Sequence, residues 1–312
     1  RRRRVAGLFR ACRWQNPVPR ALSTAIMTLT LTLLALHTVG ITAWALCYKH
    51  ILRRDGHPLA ILPLIGAVGV AALTAWTACG LDGGALQPRV VGYGACAGVA
   101  VTVAVLSYFY VIKHGARLGV SWTIITLSMT IPVAASLVVW GEIPTALQAL
   151  GIAVAVGGIL LLGRVRAGGA HMPAWQTFLL LVAFVCSGAS AVFAKAQAEV
   201  DGGEVRHFLL AMYGVMLLAG AGGLLLLRRL PRRVEYVGGV MMAVPGVAQL
   251  VALIYLLRLE QAVVVFPLRT CCSLLLTMAL ARLFWDERLT RREYAGVCLA
   301  LVAIVMLSWP AA

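Results

Sequence analysis

Trp140-Gly141-Glu142-Ile143-Pro144-Thr145, with Gln148 and Gly151 after it, returns 145 residues later as Trp285-Asp286-Glu287-Arg288-Leu289-Thr290, with Glu293 and Gly296. The shared pattern is W-x-E-x-x-T-x-x-[QE]-x-x-G. It aligns two long stretches of chain. Upstream, Tyr110, Val120, Ser128 and Ala134 match Tyr255, Val265, Ser273 and Ala279 at the same offset. Downstream, Ala155, Ile159 and Leu162 match Ala300, Ile304 and Leu307. Positions 110–162 hold eleven identities among 53 aligned. A biased apolar composition supplies some of these matches, but not an aligned Trp, Glu, Thr and Gly. The motif also suits a helix start, with Thr as cap and Gln or Glu three residues on. Trp140, Glu142, Thr145, Gly151, Trp285, Glu287, Thr290 and Gly296 are therefore read as structural.

Around the motifs the chain is built for lipid. Of 312 residues, 61% are hydrophobic and only 12% charged, with a mean hydropathy of +0.91. Soluble domains hold about 45–50% apolar and about 25% charged residues. A membrane helix needs about 20 apolar residues, and ten such runs lie between the charged positions, five in each half. Strands of a barrel alternate and run only ~9–11 residues, so a barrel is excluded. The expected fold is all-α, with ten transmembrane helices. Five spans per half is an odd number, so the second half enters the membrane from the opposite side. The repeats are then parallel in sequence and inverted in topology, which is common in secondary transporters. The expected boundaries are 27–163 for the first repeat, 164–172 for a linker and 173–309 for the second repeat. Residues 1–26 are set apart as a basic tail that the native chain need not contain, with Met27 as a candidate start. The first apolar run, about 28 residues between Arg20 and Lys49, exceeds the ~7–15 of a signal-peptide core and is read as a retained span.

With these residues in view, Tyr108-Phe109-Tyr110 through Gly163, including W-G-E-x-x-T, resembles the EamA module of the drug/metabolite transporter superfamily. Tyr255 through Leu307 resembles its second copy. Phe193-Ala194-Lys195 is similar to the ending of the family's first span in each half, and Cys47-Tyr48-Lys49 is so more loosely. The resemblance implies ten helices and export or exchange of metabolites, amino acids, nucleotide sugars or drugs. It implies a structural role for the span-end acids Glu142 and Glu287.

Charge and polar residues narrow the function. The net charge of +16 sits as punctuation between apolar runs, not as a stripe with interleaved aromatics, so nucleic acid is not the expected partner. The expected partners are a small solute, the bilayer and a coupling ion, in a bacterial inner membrane. The eight cysteines lie mostly inside apolar runs and show no metal spacing. No GxxxxGK[ST] is present. No metal, disulfide or cofactor is expected. All eleven acidic residues lie at span ends or in loops. Exchangers of cations often need a buried carboxylate to bind cation and proton in turn, so neutral, zwitterionic or anionic solutes fit better.

Arg269 stands inside the ninth span, two residues after Pro267. An ionisable residue there is a functional candidate by default. Arg269, Ser273 and Thr277 recur at i, i+4 and i+8 on one helix face. Trp122, Thr126 and Thr130 do the same in the fourth span. His37 lies mid-run in the first span and titrates near neutrality. These seven are the expected substrate-binding residues. Each has a plainer reading: Trp122 as an interfacial anchor, His37 as a packed neutral ring, Arg269 as a brace bonded to a carbonyl or to Glu260. The expected function is a secondary transporter working by alternating access. One rival is a flippase for a lipid-linked intermediate, which a lateral opening between helices would favour. Another is an intramembrane enzyme, but no GxSxG, HExxH or paired intramembrane Asp occurs. For orientation, the loops after the odd spans hold fifteen Lys and Arg, and those after the even spans only a few. Positive-inside counting puts the richer set in the cytoplasm and both termini outside. The seven arginines of the first twenty residues favour the reverse, as does the cytoplasmic placing of termini that the resemblance implies.

Overall fold

The structure, a computed structural model, describes residues 20–52, 54, 56–79, 86–114, 125–163, 173–285 and 291–308. Among them are ten helices and no strand. The first five are α1 (Arg20–Leu52), α2 (Pro58–Ala78), α3 (Pro88–Lys113), α4 (Thr130–Val139) and α5 (Ala146–Gly163). The second five are α6 (Ala174–Ala198), α7 (Val205–Leu227), α8 (Arg233–Leu259), α9 (Ala262–Trp285) and α10 (Arg291–Ser308). The expected linker 164–172 lies outside the described residues. So does most of the basic tail, although α1 begins at Arg20, ahead of the boundary drawn at Met27.

Among the described residues, seven helices are long and apolar enough to cross a membrane. Three apolar helices are shorter: Ile125–Val139, Ala146–Gly158 and Tyr294–Leu307. Large apolar side chains such as Phe178, Leu218, Val244 and Val305 are exposed on the outer faces. Water would reject such a surface, whereas lipid solvates it. The chain is an integral membrane protein.

Local chemistry sets the helix ends. Pro58 and Pro88 open α2 and α3, where a missing N–H costs nothing. Before α5, Gln148 Oε1 accepts from the Thr145 N–H at 3.0 Å, and Thr145 Oγ1 accepts from the Gln148 N–H at 3.3 Å. Gly141, at φ +62°, turns the chain out of α4 so that the Glu142 N–H reaches the Ser136 carbonyl at 3.1 Å.

The fourth span differs from expectation. The chain is helical at 125–127, turns at Ser128–Met129, and resumes as α4. Pro132 lies four residues after the start of the turn. It has no N–H for the carbonyl four residues back, and its ring clashes there; that residue is Ser128. The turn falls between Thr126 and Thr130, and Trp122 lies outside the described residues.

The helices associate in corresponding pairs. α1 packs along α8 as α3 packs along α6, while α2 packs on α7 and α5 on α10. Small residues allow the close approach. A Cβ on Gly94 of α3 would strike the Phe208 carbonyl of α7. A Cβ on Gly239 of α8, 145 residues on, would lie 2.8 Å from Leu64 Cβ of α2. Gly151 of α5 sits against Met306 and Leu307 of α10, and Gly158 against Leu299 and the Gly296 carbonyl.

Candidate functional site

His37 and Arg269, 232 residues apart, meet between α1 and α9. The His37 Nδ1–H donates to the Gln249 carbonyl of α8 at 2.9 Å. That bond puts the proton on Nδ1 and leaves Nε2 as an acceptor. Arg269 Nη1 donates to Nε2 at 3.2 Å. The guanidinium also lies 4.9 Å from the centroid of the Phe266 ring, a cation–π contact. His37 is 1% exposed. It lies one residue from the centre of the apolar window Ala25–Cys47, and Arg269 two from the centre of Ala262–Leu280.

The cluster is polar but not fully satisfied. Arg269 Nε, Gln249 Oε1 and Thr38 Oγ1 are buried without a hydrogen-bond partner. Among the described residues no carboxylate lies within ion-pair distance of Arg269. Two helical turns further along α9, Thr277 Oγ1 lies 3.5 Å from Thr42 Oγ1 of α1. Ser273, between them on that face, spends its hydroxyl on the Thr270 carbonyl at 3.0 Å. Glu260 is reached instead by the Thr30 hydroxyl at 3.4 Å. Pro267 leaves α9 unbroken. The site is thus a permanent cation with unspent hydrogen-bonding groups, held by helices from both halves of the chain. Such an arrangement suits an anionic or zwitterionic group.

The other expected binding residues fall elsewhere. Thr130 donates to the Leu127 carbonyl at 2.9 Å, and Thr126 lies just before the turn. Trp122 lies outside the described residues, as do Glu287 and Thr290. Trp285 ends α9, and Gly296 is buried in α10.

Two ionic clusters tie the halves together at opposite ends of the bundle. Glu142 lies 2.6 Å from Lys195 Nζ at the end of α6, and Lys195 lies 2.6 Å from Glu199. The Glu142 carboxylate also accepts from the Val263 N–H at 2.9 Å, at the positive N-terminal end of α9. At the other end, Glu235 of α8 is fully buried. It accepts from the His57 N–H at 2.7 Å, the Arg232 N–H at 2.7 Å and Arg229 Nη2 at 2.5 Å. Burial, with Lys113 and Arg229 nearby, holds the His57 imidazole below its usual range against the opposing pull of Glu235. Among the described residues, no group of three His, Cys, Asp or Glu is placed to hold a metal.

The sequence did not single out Gln249, Thr42 or Glu235, and it gave Lys195 only a likeness. Thr38 and Thr42, at helical spacing beside His37, were the available signal for a polar face on α1.

Residues 174–309 match the model of the EamA-like transporter family. The match covers the second half of the chain. No curated protein matches the chain. A crystal structure described only as that of a protein is similar, with a TM-score of 0.72. It aligns over 91% of this chain and 96% of its own at 16% identity, a likeness of fold.

Proposed function

From an EamA-like second half, we propose that the chain is a secondary transporter of a small neutral, zwitterionic or anionic metabolite, working by alternating access between two inverted five-helix halves. The observation that carries this reading is the meeting of His37 and Arg269, each near the middle of an apolar helix window. One comes from each half, and substrate sites of such transporters lie at the midplane between repeats.

The pairing pattern supports the inversion. Gly94 on Phe208 and Gly239 on Leu64 are closely corresponding contacts, since the offset of the W-x-E-x-x-T motif carries Gly94 to Gly239 and Phe208 to the residue before Leu64. The ionic clusters support alternation. Glu142–Lys195 joins the halves at one end, and His57–Glu235 joins them at the other. Opening each in turn would expose the central cluster to one side and then the other.

Uptake of a metabolite panel by liposomes carrying the full chain tests the reading. Arg269→Gln removes the charge, and Arg269→Lys keeps it without the planar fork. The expected result is transport of an anion or zwitterion that Gln abolishes and Lys weakens, with both variants folded. Unchanged transport by the Gln variant removes the site. Loss of the folded protein in both variants assigns Arg269 to bracing the helices instead.

A further inference from the structure

A groove of about 590 Å³ runs between α1, α9 and α10. Its walls include Leu31, Leu34, Ala35, Cys272 and Leu276, with Thr38 among them. The groove opens sideways, because Leu31, Ala35 and Ala279 on its rim are exposed on the lipid-facing surface.

A polar group lies buried behind this apolar wall. Thr38 is 8% exposed, and its hydroxyl has no partner. The next residue back is His37, which holds Arg269. On α9, Arg269, Cys272 and Leu276 recur at i, i+3 and i+7, one face of a helix. The same face thus passes from a guanidinium with an unpartnered Nε to hydrocarbon. A fully water-soluble anion would use the first and leave the second to bulk lipid. A molecule with an anionic head and an apolar tail uses both.

Resting on the transport reading above, we propose that the cargo is a single-chain amphiphile with an anionic oxyacid head, bound at Arg269 and Thr38, whose tail occupies the α1/α9/α10 groove. One groove takes one chain. The head crosses through the polar interior while the tail keeps contact with lipid. Holding the tail there avoids the loss in partition of about fourfold for each methylene drawn into water.

Liposomes containing the full chain test this with three probes. These are fluorescent palmitoyl lysophosphatidate, its octanoyl homologue, and glycerol 3-phosphate as the head alone. Transfer of the lysolipids is read by protection from an impermeant quencher, and glycerol 3-phosphate by uptake. Ala35→Trp and Ala279→Phe fill the groove from opposite walls, so failure of one to fold leaves the other. The wild-type comparison of chain lengths needs no variant. The expected result is protein-dependent transfer faster for palmitoyl than for octanoyl, returned to the protein-free rate by either groove variant. Arg269→Gln should slow it by at least about tenfold, as loss of a charge-assisted bond implies. Lysolipid transfer at the wild-type rate in a folded groove variant overturns the proposal. Uptake of glycerol 3-phosphate without lysolipid transfer also overturns it, and leaves the small-solute reading standing. Movement of none of the three overturns it too, while the metabolite panel judges the broader reading separately.

Discussion

At the scale of single residues, the chain uses its few buried charges in two ways. Arg269 has a neutral partner in His37, so its charge stays available. Lys195 is spent between Glu142 and Glu199. The two therefore respond differently to substitution. His37→Phe deprives Arg269 of its acceptor and leaves the Gln249 carbonyl without that donor. Interhelical bonds in membranes average about 0.6 kcal/mol and reach about 1.7, so the loss of thermal stability should be small while transport falls sharply. A melting curve beside a flux measurement separates the two. Lys195→Met leaves two carboxylates facing each other with side chains 10% and 20% exposed. Removing one member of a buried pair costs about 3–5 kcal/mol. Adding Glu142→Gln should restore part of that, because the two changes share one interaction. Strict additivity in the melting data would show that Glu142 and Lys195 do not act as a pair. The sequence made Arg269 and His37 legible because a charge or an imidazole inside an apolar run is rare. It said nothing of their meeting, since pairing across 232 residues leaves no local pattern. Lys195 stood at a span end, where lysines commonly snorkel, and nothing nearby in sequence announced Glu142.

At the scale of the helices, apolar runs and end chemistry were the most readable features. Among the described residues the runs bounded by charges became helices, the fourth with a turn in it, and the Thr145–Gln148 spacing became a reciprocal cap. The prolines were harder. Pro267 and Pro132 look alike as single prolines in apolar runs, yet only Pro132 coincides with a turn. Pro267 sits near the start of α9, where few carbonyls await an N–H. Pro245 lies in the middle of α8 without interrupting it, so a proline alone does not decide where a helix turns. Packing between helices rests on glycines that composition counts but does not place. Their roles can be graded. Gly94→Ala puts a methyl group against backbone, which cannot yield, and should cost about 1–3 kcal/mol. Gly239→Ala meets Leu64 Cβ at 2.8 Å, an atom that the backbone fixes and no rotamer moves, so its cost should be of the same order. Gly92→Ala, with nothing within 4 Å of the added Cβ, should be neutral or stabilising in the helix. Thermal unfolding in one detergent checks the order. Equal effects at Gly94 and Gly92 would mean that α3 does not press on α7 as closely as drawn.

At the scale of the whole molecule, charge and packing bear on which way the protein faces. α1 runs from the end holding Thr30 and Glu260 to the end holding His57 and Glu235. The second end collects Arg229, Arg232, Arg233 and Lys113, and the loops after the odd spans carry fifteen Lys and Arg. Short basic loops stay in the cytoplasm, so this end should be cytoplasmic, and the Glu142–Lys195 end should face outward. Partial neutralisation does not undo the argument. Glu235 engages Arg229, but the orientation rule counts Lys and Arg and is not a net-charge rule. The seven arginines in residues 1–20 pull the other way, on the opposite end of α1. A chain beginning at Met27 and one keeping the tail should therefore differ in how uniformly they insert. The test is a single cysteine placed between Arg228 and Arg233 in a cysteine-free background, because Cys79, Cys96 and Cys298 are exposed and would compete for reagent. In intact cells that cysteine should resist an impermeant maleimide and react after permeabilisation. Adding the tail should raise the fraction labelled from outside if its charge competes with the loops. Full labelling of the tail-free chain from outside would refute the charge argument and place the His57–Glu235 cluster on the outer face.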